Sequence, residues 1–362
     1  MSFLVHPSAL DAYAAQLRRA RDDTGLTEAY LFGYQVDGGW GEGVLIGLLG
    51  TSHVATMDAA LSTIRSFTGV LNGSQYGLAQ AAAYYQRTDA DTAAPLDATL
   101  PGTRAAPPNV VERDWRDDPR APAFRDNRDL ASRLGAVGEV ELTHPFAILD
   151  NLSLSNWALK AVELAIGVNP LEWVAARVAG DWEAFARAGK ALARTADALG
   201  DVAYNVQGGG LALGPRWIGR AAEAADAHLD RLAVGTHDLV DPIRKIATQY
   251  DVIAQGVYNA SEAVTGALKN IVDEALIAGI AIAAGTITAE TGIGAVVGYS
   301  AGAFSLALIV AEWSTATKAI TDFYGILQGC LGIIETQNLP PVCGRFPENR
   351  RDHPYRHPAV AR

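Results

Sequence analysis

The sequence is poor in the residues that build metal sites and covalent catalytic centres. Only two of its 362 residues are cysteines, Cys330 and Cys343, and its seven histidines are scattered. Two cysteines without paired ligand spacing do not make a structural zinc site. The sequence also has no Gly-X-Ser-X-Gly element, no cysteine with a matching histidine and no defensible pair of carboxylates. We therefore expect a protein without metal, cofactor or enzymatic activity.

Basic residues are also scarce. Lysine and arginine together number 29 against 40 acidic residues, which gives a formal net charge of -11 and a pI of about 5.1. An acidic chain is repelled by the phosphate backbone, so we expect no nucleic-acid partner.

Two further absences concern targeting and fold. Residues 1–7 contain neither a basic segment nor an apolar core, so we expect no secretory signal peptide. The chain also lacks a series of alternating strand patterns, and its alanine-rich, glycine-interrupted segments follow helical spacing instead. We predict an all-α fold of one or two elongated helical hairpins.

The most regular helical pattern lies within residues 151–274. Apolar residues first recur every seven positions: Phe185, Leu192, Leu199 and Val206. They then alternate spacings of three and four: Leu229, Leu232, Thr236, Leu239, Ile243, Ile246, Tyr250, Ile253, Val257, Ala260, Val264, Ala267 and Ile271. Such seams predict two long packed helices. We expect Gly208–Gly210 to end the first helix, Pro215 to open the second, and Pro242 to kink it between residues 238 and 241.

The bend between these helices carries the tripeptide Trp217-Ile218-Gly219. A long hairpin with Trp-X-Gly at its turn resembles the WXG family of small helical proteins that type VII (ESX) secretion systems export. The resemblance covers roughly residues 170–274. It implies that Trp217 and Gly219 shape the hairpin end or complete a two-part export signal. It also implies a secreted or cell-surface location. The alternative is that Trp217 is only an apolar plug at a turn.

An earlier helical hairpin is predicted over residues 1–94. Its second helix ends with Tyr85 and Asp89 in a Tyr-X-X-X-Asp arrangement. Residues four apart share a helix face, so ring and carboxylate would present one joint surface. This arrangement looks like the export signal of type VII substrates, read by the export ATPase or by a chaperone. The alternative is that Tyr85 packs in the helix seam while Asp89 is a solvated residue at the helix end.

The remaining segments differ in composition. Residues 95–150 are rich in proline and charge and predict a mostly irregular linker. Residues 275–337 are apolar and rich in glycine and alanine, and the segment 275–311 predicts a helical hairpin that is either buried in the bundle or inserted into a membrane. Residues 338–362 predict a disordered tail. Cys330 and Cys343 either form one disulfide after export or remain free thiols.

We therefore expect a leaderless type VII substrate that acts as a helical interaction or delivery module. It would either pair its two hairpins internally, self-associate, or bind a small WXG-type partner through an exposed seam. A second hypothesis is a membrane-active protein that inserts residues 275–311 after export. A third is the delivery module of a toxin family whose effector domain is absent.

Overall fold

The computed structural model describes residues 3–35, 40–103, 123–138, 156–287 and 293–337, together with Tyr355, His357 and Pro358. Within these residues the chain forms nine α-helices and one pair of two-residue strands, so the all-α prediction is confirmed. In chain order the helices are α1 (Pro7–Phe32), α2 (Val44–Arg87), α3 (Ala90–Ala98), α4 (Asn156–Ile166), α5 (Pro170–Val178), α6 (Trp182–Leu213), α7 (Arg220–His237), α8 (Val240–Ile287) and α9 (Ile293–Thr336). The strands are β1 (Leu4–Val5) and β2 (Trp217–Ile218).

The long helices pack as connected pairs around one core. The closest pairs are α8 with α9 and α1 with α2, while α6 packs against α1, α7 and α8. Buried apolar residues from both predicted hairpins join in one cluster. Helix α6 therefore links the N-terminal hairpin to the rest of the bundle.

The end of α6 corrects the predicted hairpin turn. Gly208–Gly210 lie inside α6, which continues to Leu213, so the prediction that they end the helix was wrong. Pro215 lies in the short 3-10 turn that follows and does not open a helix. A Cβ on Gly209 would lie 2.1 Å from the ring of Tyr13 in α1. Close approach of α1 therefore explains glycine at this position, although glycine weakens the helix.

The predicted kink near Pro242 is instead a break between two helices. Helix α7 ends at His237 and α8 begins at Val240, with Leu239 buried between them. Pro242 falls in the first turn of α8, where a missing backbone N–H leaves no intrahelical bond unmade.

Part of the predicted linker is held on the bundle. The side chain of Asn205 accepts hydrogen bonds from the backbone N–H groups of Asn127 and Arg128 and donates one to the Arg128 carbonyl oxygen. The buried Asp201 carboxylate pairs with Arg128 at 3.2 Å and with Arg133 at 2.8 Å. Residues 123–138 therefore lie along α6. Helix α3 also crosses the predicted boundary at residue 94.

In the described part of the apolar region, residues 275–287 form the C-terminal end of α8 and residues 293–336 form α9. Within the residues described, one helix is long and apolar enough to cross a membrane, namely α2, and 44% of its apolar window is buried. Because a core helix of a soluble protein passes the same test, this is weak evidence for a span. It leaves membrane insertion of residues 275–311 as a prediction.

Candidate functional site

The candidate site lies where α6 turns into α7. There β2 pairs with β1 in antiparallel register, Leu4 opposite Ile218 and Val5 opposite Trp217. The backbone N–H of His6 also donates to the Arg216 carbonyl oxygen at 2.9 Å. The start of the chain is therefore fixed against the Trp-X-Gly turn.

Gly219 has a local reason for being glycine. Its φ is 150°, a conformation that side chains rarely adopt, and an added Cβ would lie 2.6 Å from Oδ2 of Asp97. The Asp97 carboxylate accepts hydrogen bonds from the N–H groups of Arg220 at 2.7 Å and Ala221 at 2.9 Å. A side chain from α3 thus caps the N-terminus of α7. In most helices the capping side chain is a Ser, Thr or Asp at the N-cap position of the same helix.

Tyr85 and Trp217 meet at this turn. Both are buried, and their ring centroids lie 6.1 Å apart at 73°. The Tyr85 hydroxyl is 2.8 Å from Nε2 of His357, whose ring also lies against Trp217. Burial raises the pKa of Tyr85, and the Trp217 N–H partly offsets that rise. The structure thus joins two sequence-predicted site residues that lie far apart in the chain.

Asp89 does not join them. Helix α2 ends at Arg87, and Asp89 is the exposed N-cap of α3, where its carboxylate accepts from the Thr92 N–H at 2.7 Å. Hydrogen bonding from Thr92 lowers the pKa of Asp89. Tyr85 faces the core instead. The prediction of one joint Tyr85–Asp89 surface was therefore wrong, because the helix stops before it reaches Asp89. The structure agrees with the alternative, in which Tyr85 packs in the helix seam and Asp89 is a solvated residue at the helix end.

The C-terminal tail supplies two residues that the sequence did not single out. Tyr355 and His357 are 4% and 2% exposed, so the prediction of a disordered tail does not hold for them. The Tyr355 N–H lies 3.5 Å from Oγ of Ser74, and that oxygen is 3.0 Å from Nε2 of His228. The sequence feature that could have pointed to them is a tyrosine and a histidine two positions apart in a tail rich in arginine and proline.

Burial also sets the charge of the two histidines at the site. It lowers the pKa of His357 to about 4, an effect that Asp97 partly offsets. It likewise lowers the pKa of His228 to about 4, with Arg231 adding to the shift. Both imidazoles are therefore neutral at pH 7. Each offers one donor and one acceptor nitrogen to its neighbours.

The other predicted residues lie elsewhere. Cys330 is buried in α9, and burial raises the pKa of its thiol. Cys343 lies outside the described residues, so the disulfide remains a prediction. In the part of the chain that the structure describes, no group of three or more His, Cys, Asp or Glu is placed to hold a metal ion.

Comparisons with protein-family models, with curated proteins and with solved structures find no match to this chain. The resemblance to the WXG family therefore rests on the residues of the sequence alone.

Proposed function

We propose that this protein is a substrate of a type VII secretion system that acts, at the cell surface or after secretion, as a non-enzymatic helical interaction or delivery module. One observation supports the proposal most directly. Tyr85, from the Tyr-X-X-X-Asp element, packs against Trp217, from the Trp-X-Gly turn. One residue from each of the two elements that the resemblance implies thus meets the other within one chain, while Asp89 stays apart on the surface.

The same contact favours internal pairing over a separate small partner. Helix α6, which ends at the Trp-X-Gly turn, is already covered by α1, and the seam residue Tyr85 is buried. An export ATPase or chaperone would therefore find Asp89 on the surface and Tyr85 in the interior. Recognition of Asp89 needs no rearrangement, whereas recognition of Tyr85 does.

Export of Asp89 variants from a type VII-competent bacterium tests the proposal. Asn at an N-cap keeps the hydrogen bond to the Thr92 N–H but removes the charge. We expect Asp89→Asn to lower the secreted fraction at least about tenfold, because a receptor that reads the carboxylate would lose a charge-assisted hydrogen bond. The measurement is an immunoblot of culture filtrate and cell pellet.

Asp91→Asn is the matched control, since Asp91 is an exposed acid in the first turn of the same helix. We expect Asp91→Asn to be exported as efficiently as the wild type. Equal export of all three proteins, or retention of the wild type in the cell, would contradict the proposal. Thermal unfolding of the purified variants excludes misfolding as the cause of a loss.

Membrane activity is a second candidate function, and the exposed apolar residues of α8 and α9 favour it. Leu276 and Ile277 of α8 are 42% and 50% exposed, and Phe304 and Val310 of α9 are 65% and 48% exposed. All four belong to the apolar segment 275–311. Exposed large apolar side chains are typical of partner or membrane contacts where they form a patch.

Liposome flotation tests this candidate. We expect wild-type protein to float with anionic vesicles and the double variant Ile277→Asp/Phe304→Asp to stay in the soluble fraction, because acidic side chains resist burial in lipid. Ile333→Asp makes the same kind of change at a residue of α9 that is 43% exposed, so it serves as the control. Wild-type protein that does not float would exclude membrane binding through this region.

A further inference from the structure

The C-terminal tail occupies a groove between α2, α3 and α7, and this tail groove has a defined set of lining residues. Tyr355 and His357 are the occupants. The lining residues share contact with one or both of them: Ser74, Gly77, Tyr85, Asp97, Trp217 and His228.

Gly77 shows that the groove fits the backbone of the tail. A Cβ at Gly77 would lie 1.8 Å from the carbonyl oxygen of Tyr355 and 2.8 Å from its carbonyl carbon. Gly69, in the same helix, has no atom within 4 Å of the corresponding position. Glycine in a helix interior is unfavourable, so close backbone approach gives Gly77 a reason that Gly69 lacks.

The polar groups of the groove match the two tail side chains. His357 meets the Tyr85 hydroxyl at 2.8 Å and stacks near Trp217. The ring of Tyr355 lies between those of Trp217 and His228, with centroids 6.2 and 6.0 Å away. Tyrosine and histidine two positions apart in the sequence therefore each lie against their own aromatic partners.

The segment also hides Tyr85. Tyr85 is 6% exposed, and His357 lies directly against its hydroxyl and ring, with centroids 5.0 Å apart. The tail groove and the candidate export signal thus share a residue. A receptor cannot contact the Tyr85 hydroxyl while His357 holds it.

We propose that the tail groove is a binding site for a Tyr-X-His segment, which in this chain Tyr355 and His357 occupy and must leave before an export receptor reaches Tyr85. The groove as a binding site stands on its contacts alone. Its role as a cover over the export signal rests on the proposed function.

The experiment uses the full-length chain with the double substitution Tyr355→Ala/His357→Ala, which empties the groove without changing its lining. A fluorescein-labelled synthetic peptide of residues 351–362 is titrated with each protein, and fluorescence polarisation is recorded. We expect the double variant to bind the peptide and the wild type to bind at least about tenfold more weakly, since its own tail competes.

Adding Gly77→Ala to the double variant should abolish peptide binding, because the new Cβ occupies the place of the Tyr355 carbonyl. Adding Gly69→Ala instead should leave binding unchanged. No binding to the double variant, or equal binding with Gly77→Ala, would overturn the groove as a recognition site.

An export assay distinguishes the groove as a binding site from the tail as a cover over Tyr85. If the tail covers the signal, the double variant should leave the cell more efficiently than the wild type. Peptide binding with unchanged export would overturn the cover and keep the groove. Retention of every variant in the cell would instead contradict the proposed function, while the polarisation result would still decide the groove.

Discussion

Replacing Gly209 by alanine is expected to destabilise the protein by about 3 kcal/mol, near the upper end for overpacking in a core. The added Cβ would lie 2.1 Å from the ring of Tyr13 and 2.4 Å from Oε1 of Gln16. Both side chains are fully buried and tied to α6, Tyr13 through Val206 and Gln16 through Asn205. Neither can move aside without breaking a buried hydrogen bond.

The neighbouring glycine provides the control. At Gly210 the nearest atom to an added Cβ is the Tyr13 hydroxyl oxygen at 3.6 Å, an ordinary contact. Alanine there should be neutral or stabilise the helix by up to about 1 kcal/mol. Urea unfolding followed by circular dichroism at pH 7.5 measures both variants. Equal stability of the two would show that α1 does not approach α6 as closely as the structure has it.

Lowering the pH from 7.5 to 5.0 is expected to weaken the fold, because three histidines are buried in their neutral form. Burial lowers the pKa of His53, His228 and His357 to about 4 each. In the unfolded chain histidine titrates near 6.5, so between pH 6.5 and 4 the unfolded state binds more protons. The stabilisation is thus complete above pH 6.5 and is lost as the pH falls towards 4. At pH 5 the loss is about 2 kcal/mol for His53, which titrates only when the bundle unfolds. For His228 and His357 the loss is limited to the free energy with which the tail is held in its groove.

The surroundings of His53 and His228 do not favour a positive charge. His53 lies against Trp40 and bonds through Nδ1 to the Tyr250 hydroxyl at 2.9 Å. The positive charge of Arg231 disfavours a charged His228.

His357 differs from the other two histidines because Asp97 lies near it and partly favours its charged form. His228 and His357 also differ from His53 in being able to titrate when the tail leaves its groove. Acid should therefore release the tail before the bundle unfolds.

Replacing one histidine at a time by glutamine shows which histidine causes the loss of stability at low pH. Urea unfolding at pH 7.5 and 5.0 should show a smaller difference for His53→Gln than for the wild type, because one titrating group is gone. The protection factors of the C-terminal amides, which correct for the slower intrinsic exchange at lower pH, should fall at pH 5.0 in the wild type and change less in His357→Gln. A pH dependence that all variants share in full would assign it to other groups.

The helices and their buried faces followed from local patterns. The seven-residue pattern of Phe185, Leu192, Leu199 and Val206 predicted one face of a long helix, and all four are buried in α6. Apolar periodicity is a property of neighbouring residues, so it can be read without knowing what packs against it. The same reasoning failed at Gly208–Gly210, where the partner helix and not local propensity decides which residue fits.

The candidate site was likewise predicted only in part from the sequence. Sequence reasoning selected Tyr85, Asp89, Trp217 and Gly219 but paired the wrong two, since it assumed that α2 continued to Asp89. The structure ends α2 at Arg87 and places Tyr85 against Trp217 instead. Asp97, the cap of α7, lay in a segment predicted to be a linker and had no local signature.

What the sequence by itself determined is therefore the helical class, the long helices and the turn that carries Trp217 and Gly219. Only the tertiary structure decided where α6 ends, which side chain caps α7 and what covers Tyr85. The physical reason is separation along the chain. Asp97 reaches the Ala221 N–H across 124 positions and His357 reaches Tyr85 across 272, and no local pattern encodes such contacts.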